Sequence, residues 1–154
     1  MPRHQLIAGF NHVGISVKSL ANSIAFYCKH LDMRVVEVPV KFEGPIYEQI
    51  LGLKGVRGKA AVLQKATLQL ELFEFAVPKP KRKNVKYPVS DHGLSHFCVE
   101  VTNIHSVYQR MRKAGVTFHC PPLNFFGEAL ATYARDLDGN VFELLELNKT
   151  EGSL

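Results

Sequence analysis

Two stretches of this chain repeat one pattern, and that repeat limits the fold more than any other feature. Phe10-Asn11-His12-Val13-Gly14-Ile15-Ser16-Val17 and Leu94-Ser95-His96-Phe97-Cys98-Val99-Glu100-Val101 each set a histidine at the start of an alternating apolar run. Each half then closes on an acidic strand, Leu70-Glu71-Leu72-Phe73-Glu74 in the first and Phe142-Glu143-Leu144-Leu145-Glu146 in the second. Internal self-similarity on this scale is the signature of a duplicated structural unit. One histidine opens each half and one glutamate closes it. Two imidazoles and two carboxylates therefore fall at equivalent points, as a pseudo-twofold metal site requires.

The segments between these landmarks repeat as well. After the first strand, Ser19 or Asn22 is placed to cap a helix carrying Leu20, Ile24, Tyr27 and Leu31 at close to helical spacing. In the second half Thr102 or Asn103 is placed to cap a helix with Ile104, Val107, Tyr108 and Met111 on one face, and Gly115 stands at its C-terminal stop. Further strands are predicted over 34–40, 59–63, 68–76, 117–120, 129–135 and 141–147, with Asp138-Gly139-Asn140 as the turn before the last. Each half reads as strand, helix and three strands.

Strand phase predicts which way the four residues point, because successive side chains alternate between faces. Val13, Ile15 and Val17 share one face, leaving His12 with Gly14 and Ser16 on the other. Leu68, Leu70 and Leu72 form an apolar row, and Glu71 points away from it with Gln69 and Phe73. In the second half Phe97, Val99 and Val101 oppose His96 and Cys98, and Phe142 and Leu144 oppose Glu143. All four candidates fall opposite the face that the helices cover. Glu74 and Glu146 have the wrong phase to compete with them, whereas Gln69 sits one step along the same face as Glu71 and competes for its role.

Length and composition set the outer bounds. With 154 residues, 46% of them hydrophobic and 21% charged, the chain is expected to be a single globular domain. Cys28, Cys98 and Cys120 are odd in number and lack a CxxC spacing, which argues against a disulfide framework or thiolate zinc site; they read first as packing residues. No signal peptide and no membrane span is legible, so a cytoplasmic protein is expected. The net charge of +5 is concentrated in Lys79, Lys81, Arg82, Lys83 and Lys86, interspersed with Pro78, Pro80 and Pro88. Proline and like charge both resist packing, so residues 78–91 read as a solvated linker, with attraction of an anionic substrate as the next option. The run lacks interleaved aromatics, and no nucleic-acid partner is expected.

The residues also resemble a known family. Asn11-His12-Val13 followed by the Ser23-Ile24-Ala25-Phe26-Tyr27 helix, and Arg135-Asp136-Leu137-Asp138-Gly139-Asn140 leading into Phe142-Glu143-Leu144, look like the vicinal oxygen chelate superfamily. That superfamily includes glyoxalase I, methylmalonyl-CoA epimerase, extradiol dioxygenases, fosfomycin-resistance enzymes and bleomycin-resistance proteins. The resemblance implies an α+β fold of two tandem βαβββ modules, residues 7–77 and 92–148, forming a cupped mixed sheet with helices packed on the outside. It implies His12, Glu71, His96 and Glu143 as ligands of one divalent metal ion, Ni, Co, Zn, Mn or Fe. It also implies that Glu71 and Glu143 serve as catalytic carboxylates, and that the protein is a homodimer.

Such a set holds an open, Lewis-acidic ion that polarises a carbonyl, so that a carboxylate can take a proton from the neighbouring C–H. The expected function is a metal-dependent lyase, isomerase or epimerase acting on a small carbonyl compound or thioester. Two other classes stay open. An iron(II) extradiol-type dioxygenase needs only His12, His96 and Glu143, with Tyr133 as an outer donor, and a metal-free small-molecule binding protein of the resistance kind needs no ligands at all. His4, His30, His92, His105 and His119 are expected at the surface. Gly52, Gly55 and Gly58 lack a following Gly-Lys-Ser/Thr, so residues 40–58 read as a mobile insertion over the cup and not as a phosphate loop. Tyr133, Phe125 and Phe126 either line the cavity or pack as strand and core aromatics.

Overall fold

The computed structural model describes residues 7–81 and 84–148, so His4, Arg82 and Lys83 lie outside the described residues. Nine strands and three helices make a mixed α+β fold among the described residues. The chain divides into two compact units at Pro80 and Lys81, each a sheet with a helix packed on one face. Among the described residues no helix is long and apolar enough to cross a membrane.

The first unit runs β1 (Val13–Ser16), α1 (Leu20–Leu31), β2 (Arg34–Glu43), α2 (Pro45–Leu51), β3 (Arg57–Lys65) and β4 (Leu68–Val77). Its sheet order is β1-β4-β3-β2, with β1 parallel to β4 and the other pairs antiparallel. Of the two candidate caps Ser19 is the one used: its Oγ accepts the Asn22 N–H at 3.4 Å. The helix ends at Asp32 in the left-handed region, φ 51°. Leu20, Phe26, Tyr27 and Leu31 are buried, as are Ile15, Leu63, Leu70 and Leu72 on the sheet side. Each such side chain contributes about 1.5–3 kcal/mol when fully removed from water. His30 is buried too, 4.9 Å from the Phe26 ring, and corrects the expectation that it is exposed. It continues the face that Phe26 and Tyr27 bury, and an imidazole body packs well against aromatic rings.

Residues 40–58 are also different from expectation. In place of a mobile insertion, β2 runs on to Glu43 and a short helix follows, with Pro45 at its start and Gly52, φ 65°, closing its end. Phe42, Val56 and Ala60 are buried together, and Leu51, Leu53, Phe73 and Phe75 pack on them. The glycines are thus structural: a Cβ at Gly58 would stand 2.4 Å from Phe42 Cζ and 2.5 Å from the Glu74 carbonyl oxygen.

The second unit runs β5 (Phe97–Glu100), α3 (Ile104–Lys113), β6 (Thr117–Phe118), β7 (Leu123–Phe125), β8 (Ala129–Arg135) and β9 (Val141–Leu147). The order is β5-β9-β8-β6, with β7 also on β8 and β5 parallel to β9. Asn103 is the cap, its Oδ1 accepting the Ser106 N–H at 3.1 Å, and Gly115 turns the chain after the helix with φ +88°. Phe97, Phe142, Leu144, Ile104 and Met111 are buried.

The out-of-phase glutamates have a use of their own. Glu74 Oε2 accepts the Leu20 N–H at 2.7 Å, and Glu146 accepts the Asn103 and Ile104 N–H groups at 2.6 and 2.9 Å. In each unit the last strand therefore caps its own helix from the helix-covered face, satisfying amides that the helix leaves free. The Ile104 and Asn103 N–H groups hold the Glu146 carboxyl below its ordinary value.

Lys79, Lys81 and Lys86 of the basic segment are exposed, whereas Tyr87 is buried. Arg135 stacks over the Tyr87 ring at 5.0 Å and donates to the Tyr87, Val85 and Gly139 carbonyls at 2.7, 3.3 and 2.9 Å. This part of the segment is a fixed strap on the second unit, not a solvated linker, because the Arg135 guanidinium donates to its Val85 and Tyr87 carbonyls.

Candidate metal centre

The parallel pairings decide where the four predicted residues lie. β1 meets β4 with Gly14 beside Glu71, and β5 meets β9 with Cys98 beside Glu143. Each histidine stands two residues before that point, on the same face as its glutamate. The outcome is one His–Glu pair per unit: His12 Nε2 to Glu71 Oε2 at 3.0 Å, and His96 Nε2 to Glu143 Oε2 at 3.3 Å. Among the described residues no three or more His, Cys, Asp or Glu side chains gather as a ready-made cluster, so the donors come as two pairs. Two hollows, of about 550 and 320 Å³, lie along α3 and β6 and include none of these four residues.

Both imidazoles are oriented by the residue before them. Asn11 Oδ1 lies 2.7 Å from His12 Nδ1, and Ser95 Oγ lies 2.9 Å from His96 Nδ1. Sequence reading missed Asn11 and Ser95 in this role, although both precede their histidine in the repeated motif. His12 thus faces an oxygen acceptor from each ring nitrogen. A neutral imidazole has one N–H and satisfies one of the two, whereas a proton or a metal cation at Nε2 lets both be satisfied. The spacing fits such an ion: donors about 2.1 Å from a metal lie about 3.0 Å apart at a right angle and about 3.4 Å apart at the tetrahedral angle. Imidazole nitrogen with carboxylate oxygen is a donor set for a divalent first-row ion. The glutamate side chains are 29% and 18% exposed, so they are held but not sealed off.

The surroundings of the two pairs differ. Beside Glu143 on its other neighbouring strand is Tyr133, whose hydroxyl lies 3.5 Å from His96 Nε2 and whose ring is 4.7 Å from the imidazole. Burial first, then the Glu143 carboxylate, raises the Tyr133 hydroxyl above its ordinary value. Cys98 corrects its reading as a packing residue, because it is open to solvent on the site face. Partial burial of its sulfur, and Glu143, which accepts its thiol hydrogen bond, nonetheless push that thiol up to about 12. It is a neutral donor there, not a thiolate.

The remaining candidates are more distant. His92 and His105 are exposed. His119 is exposed, with its ring 5.9 Å from that of Tyr133, and desolvation and Arg135 lower its imidazole below the ordinary value. Tyr133 lies against His96, while Phe125 and Phe126 are exposed and so are not core residues.

A family model described as the Glyoxalase/Bleomycin resistance protein/Dioxygenase superfamily matches residues 9–144. Among solved structures, a glyoxalase family protein from Bacillus cereus is 21% identical with a TM-score of 0.85, over 96% of this chain and 98% of that one. The trypanothione-dependent glyoxalase I of Leishmania major is 23% identical with a TM-score of 0.59, over 88% of this chain and 84% of that one. A mutant of the fosfomycin resistance protein FosX of Listeria monocytogenes, complexed with Mn(II) and 1S,2S-dihydroxypropylphosphonic acid, is 18% identical with a TM-score of 0.58, over 90% of each chain. At these identities the likeness is one of fold. No protein of curated function matches the sequence.

Proposed function

The chain belongs to the Glyoxalase/Bleomycin resistance protein/Dioxygenase superfamily, and from that membership and the paired residues we propose that it is a divalent-metal-dependent lyase or isomerase. The reaction is proton transfer beside the carbonyl of a small ketone, aldehyde or thioester. The observation that carries this reading is the repetition of one His–Glu pair at one register point in both units, with donor atoms 3.0 and 3.3 Å apart. The Mn(II) complex of the Listeria protein supports a metal in this fold.

His12, Glu71, His96 and Glu143 supply an N2O2 ligand set in this proposal. The ion, when bound, provides Lewis acidity toward a substrate oxygen. The chain's own residues do the rest. Asn11 and Ser95 hold the imidazoles with Nε2 presented, and the carboxylate oxygens of Glu71 and Glu143 accept and return the substrate proton.

A second reading, an iron(II) extradiol-type dioxygenase using His12, His96 and Glu143, draws on the Tyr133 hydroxyl beside His96 Nε2. One variant separates the two. Glu71→Ala sharply weakens metal affinity and proton-transfer activity in a four-ligand isomerase, whose turnover needs no oxygen. Oxygen consumption with a catechol, dependent on iron(II) and unaffected by Glu71→Ala, would replace the isomerase reading with the dioxygenase.

A further inference from the structure

The face of β4 that carries Glu71 continues into an aromatic surface. Glu71, Phe73 and Phe75 alternate onto one side, and their β3 neighbours Val62, Ala60 and Gly58 share it. Phe42 of β2 lies opposite Gly58 and closes the group, with ring centroids 5.8 Å from Phe73 and 5.4 Å from Phe75. Phe73 and Phe75 are themselves stacked at 5.7 Å. The group is rigid: Phe42 is buried, Leu51, Leu53 and Val56 pack with it, and glycine at 58 leaves room for its ring to lie on the sheet.

At its other end this surface reaches the candidate metal ligands. Phe73 Cε2 lies 3.7 Å from where a Cβ on Gly14 would stand, and Gly14 is the residue paired with Glu71. The half-buried Phe73 ring therefore overhangs β1, the strand that follows His12. Phe73, Phe75 and Val62, the partly exposed members, offer no side-chain hydrogen-bond donor. A polar substituent pressed against them loses water without replacement, whereas an aromatic one gains from burial and from offset or edge contact with the Phe73 ring, which an aliphatic group does not make. The second unit has no such wall, since Leu145 occupies the position matching Phe73 and Tyr133 the one matching Val62.

We infer that Phe73, backed by Phe42 and Phe75, is a substrate-selecting surface, and that the substrate carries an aromatic group next to the oxygens that meet the His12–Glu71 pair. The inference rests on the proposed function, which supplies the metal those oxygens chelate. Two hydroxamates test it, since both chelate through the same atoms and differ only in the group beside them. On the Ni(II)-loaded protein, benzohydroxamate binds at least about tenfold tighter than acetohydroxamate, as a phenyl placed on an apolar wall should. Phe73→Ser reduces that ratio to about threefold or less while leaving acetohydroxamate and Ni(II) affinity unchanged. Phe73→Leu, which keeps the packing and places the second unit's residue there, lowers the ratio by several-fold and unfolds cooperatively at a similar temperature.

Equal affinity for the two hydroxamates in the unaltered protein, or a preference that survives both variants, would overturn the inference. If Ni(II) does not bind, the proposed function fails, and the same comparison is made by NMR on the metal-free protein. There, shifts of the Phe73 and His12 ring signals with benzohydroxamate and not with acetohydroxamate support the aromatic wall. Absence of that preference refutes it.

Discussion

Glu71 has Gly14 and Val62 on the strands to either side of it, whereas Glu143 has Cys98 and Tyr133. The two units agree in backbone register, in the histidine two residues ahead, in the oxygen that orients that histidine, and in the outward glutamate that caps the helix. They differ in the residues that flank the carboxylate on the neighbouring strands. The agreement is what ligation needs, because a ligand pair depends on where two strands meet. The difference is what selectivity needs: Glu143 is held by a thiol and neighboured by a hydroxyl, while Glu71 opens onto aromatic rings.

The largest effect expected tests the agreement. His12→Ala and His96→Ala each lower divalent-metal affinity by about a thousandfold, more than loss of an orienting residue does, while far-UV circular dichroism stays unchanged. Competition with a chelator reads the affinity, and an unaltered value for either variant breaks the equivalence of the pairs. Next in size is a test of the aromatic side. Gly58→Ala costs about 3 kcal/mol of unfolding free energy because the new methyl meets Phe42 and the Glu74 backbone. The matching position in the second unit is already Ala129, so Ala129→Gly costs only about 1 kcal/mol. Denaturant titration of the two variants compares them directly.

Much of this plan is legible in the sequence, and what is not has identifiable causes. The strands at 129–135 and 141–147 are apolar runs bounded by Asp138-Gly139-Asn140, so they are found with their observed limits. The helix over Pro45–Leu51 is only seven residues long and buries none of them, so it lacks the periodicity that reveals α1 and α3. The three-residue strand β7 is too short to alternate visibly. His30 lies on a buried face only because Phe26 does. The Arg135 strap and the caps from Glu74 and Glu146 join residues far apart in sequence, and phase alone shows that those glutamates face away from the site, not what they meet there. Among site residues, the four candidate ligands follow from the repeat and Tyr133 from the dioxygenase alternative, but the place of Cys98 beside Glu143 does not, because the first unit has Gly14 there.

A smaller effect sharpens the difference between the pairs. Tyr133→Phe removes the hydroxyl near His96 and weakens metal affinity by up to about tenfold, whereas Val62→Ala, at the matching place beside Glu71, leaves it within about twofold. The smallest effects concern the caps. Glu74→Ala lowers stability by about 1 kcal/mol through loss of the Leu20 acceptor. Glu146 is held below its ordinary 4.5, so its contribution is present above that pH and is lost as pH falls through the lower folded value. Glu146→Gln should therefore lower the melting temperature at neutral pH and flatten its dependence on acid. A pH dependence identical to that of the unaltered protein would mean that the cap carries no charge effect.

Counting bound ions tests the central claim most directly. The purified protein, saturated with Co(II) or Ni(II) and freed of excess metal, should hold one ion per chain, and either His12→Ala or His96→Ala alone should abolish it. Two ions per chain, each lost only with its own histidine, would contradict the account by making the pairs independent sites, and no ion at all would leave His12–Glu71 and His96–Glu143 as ordinary ion pairs.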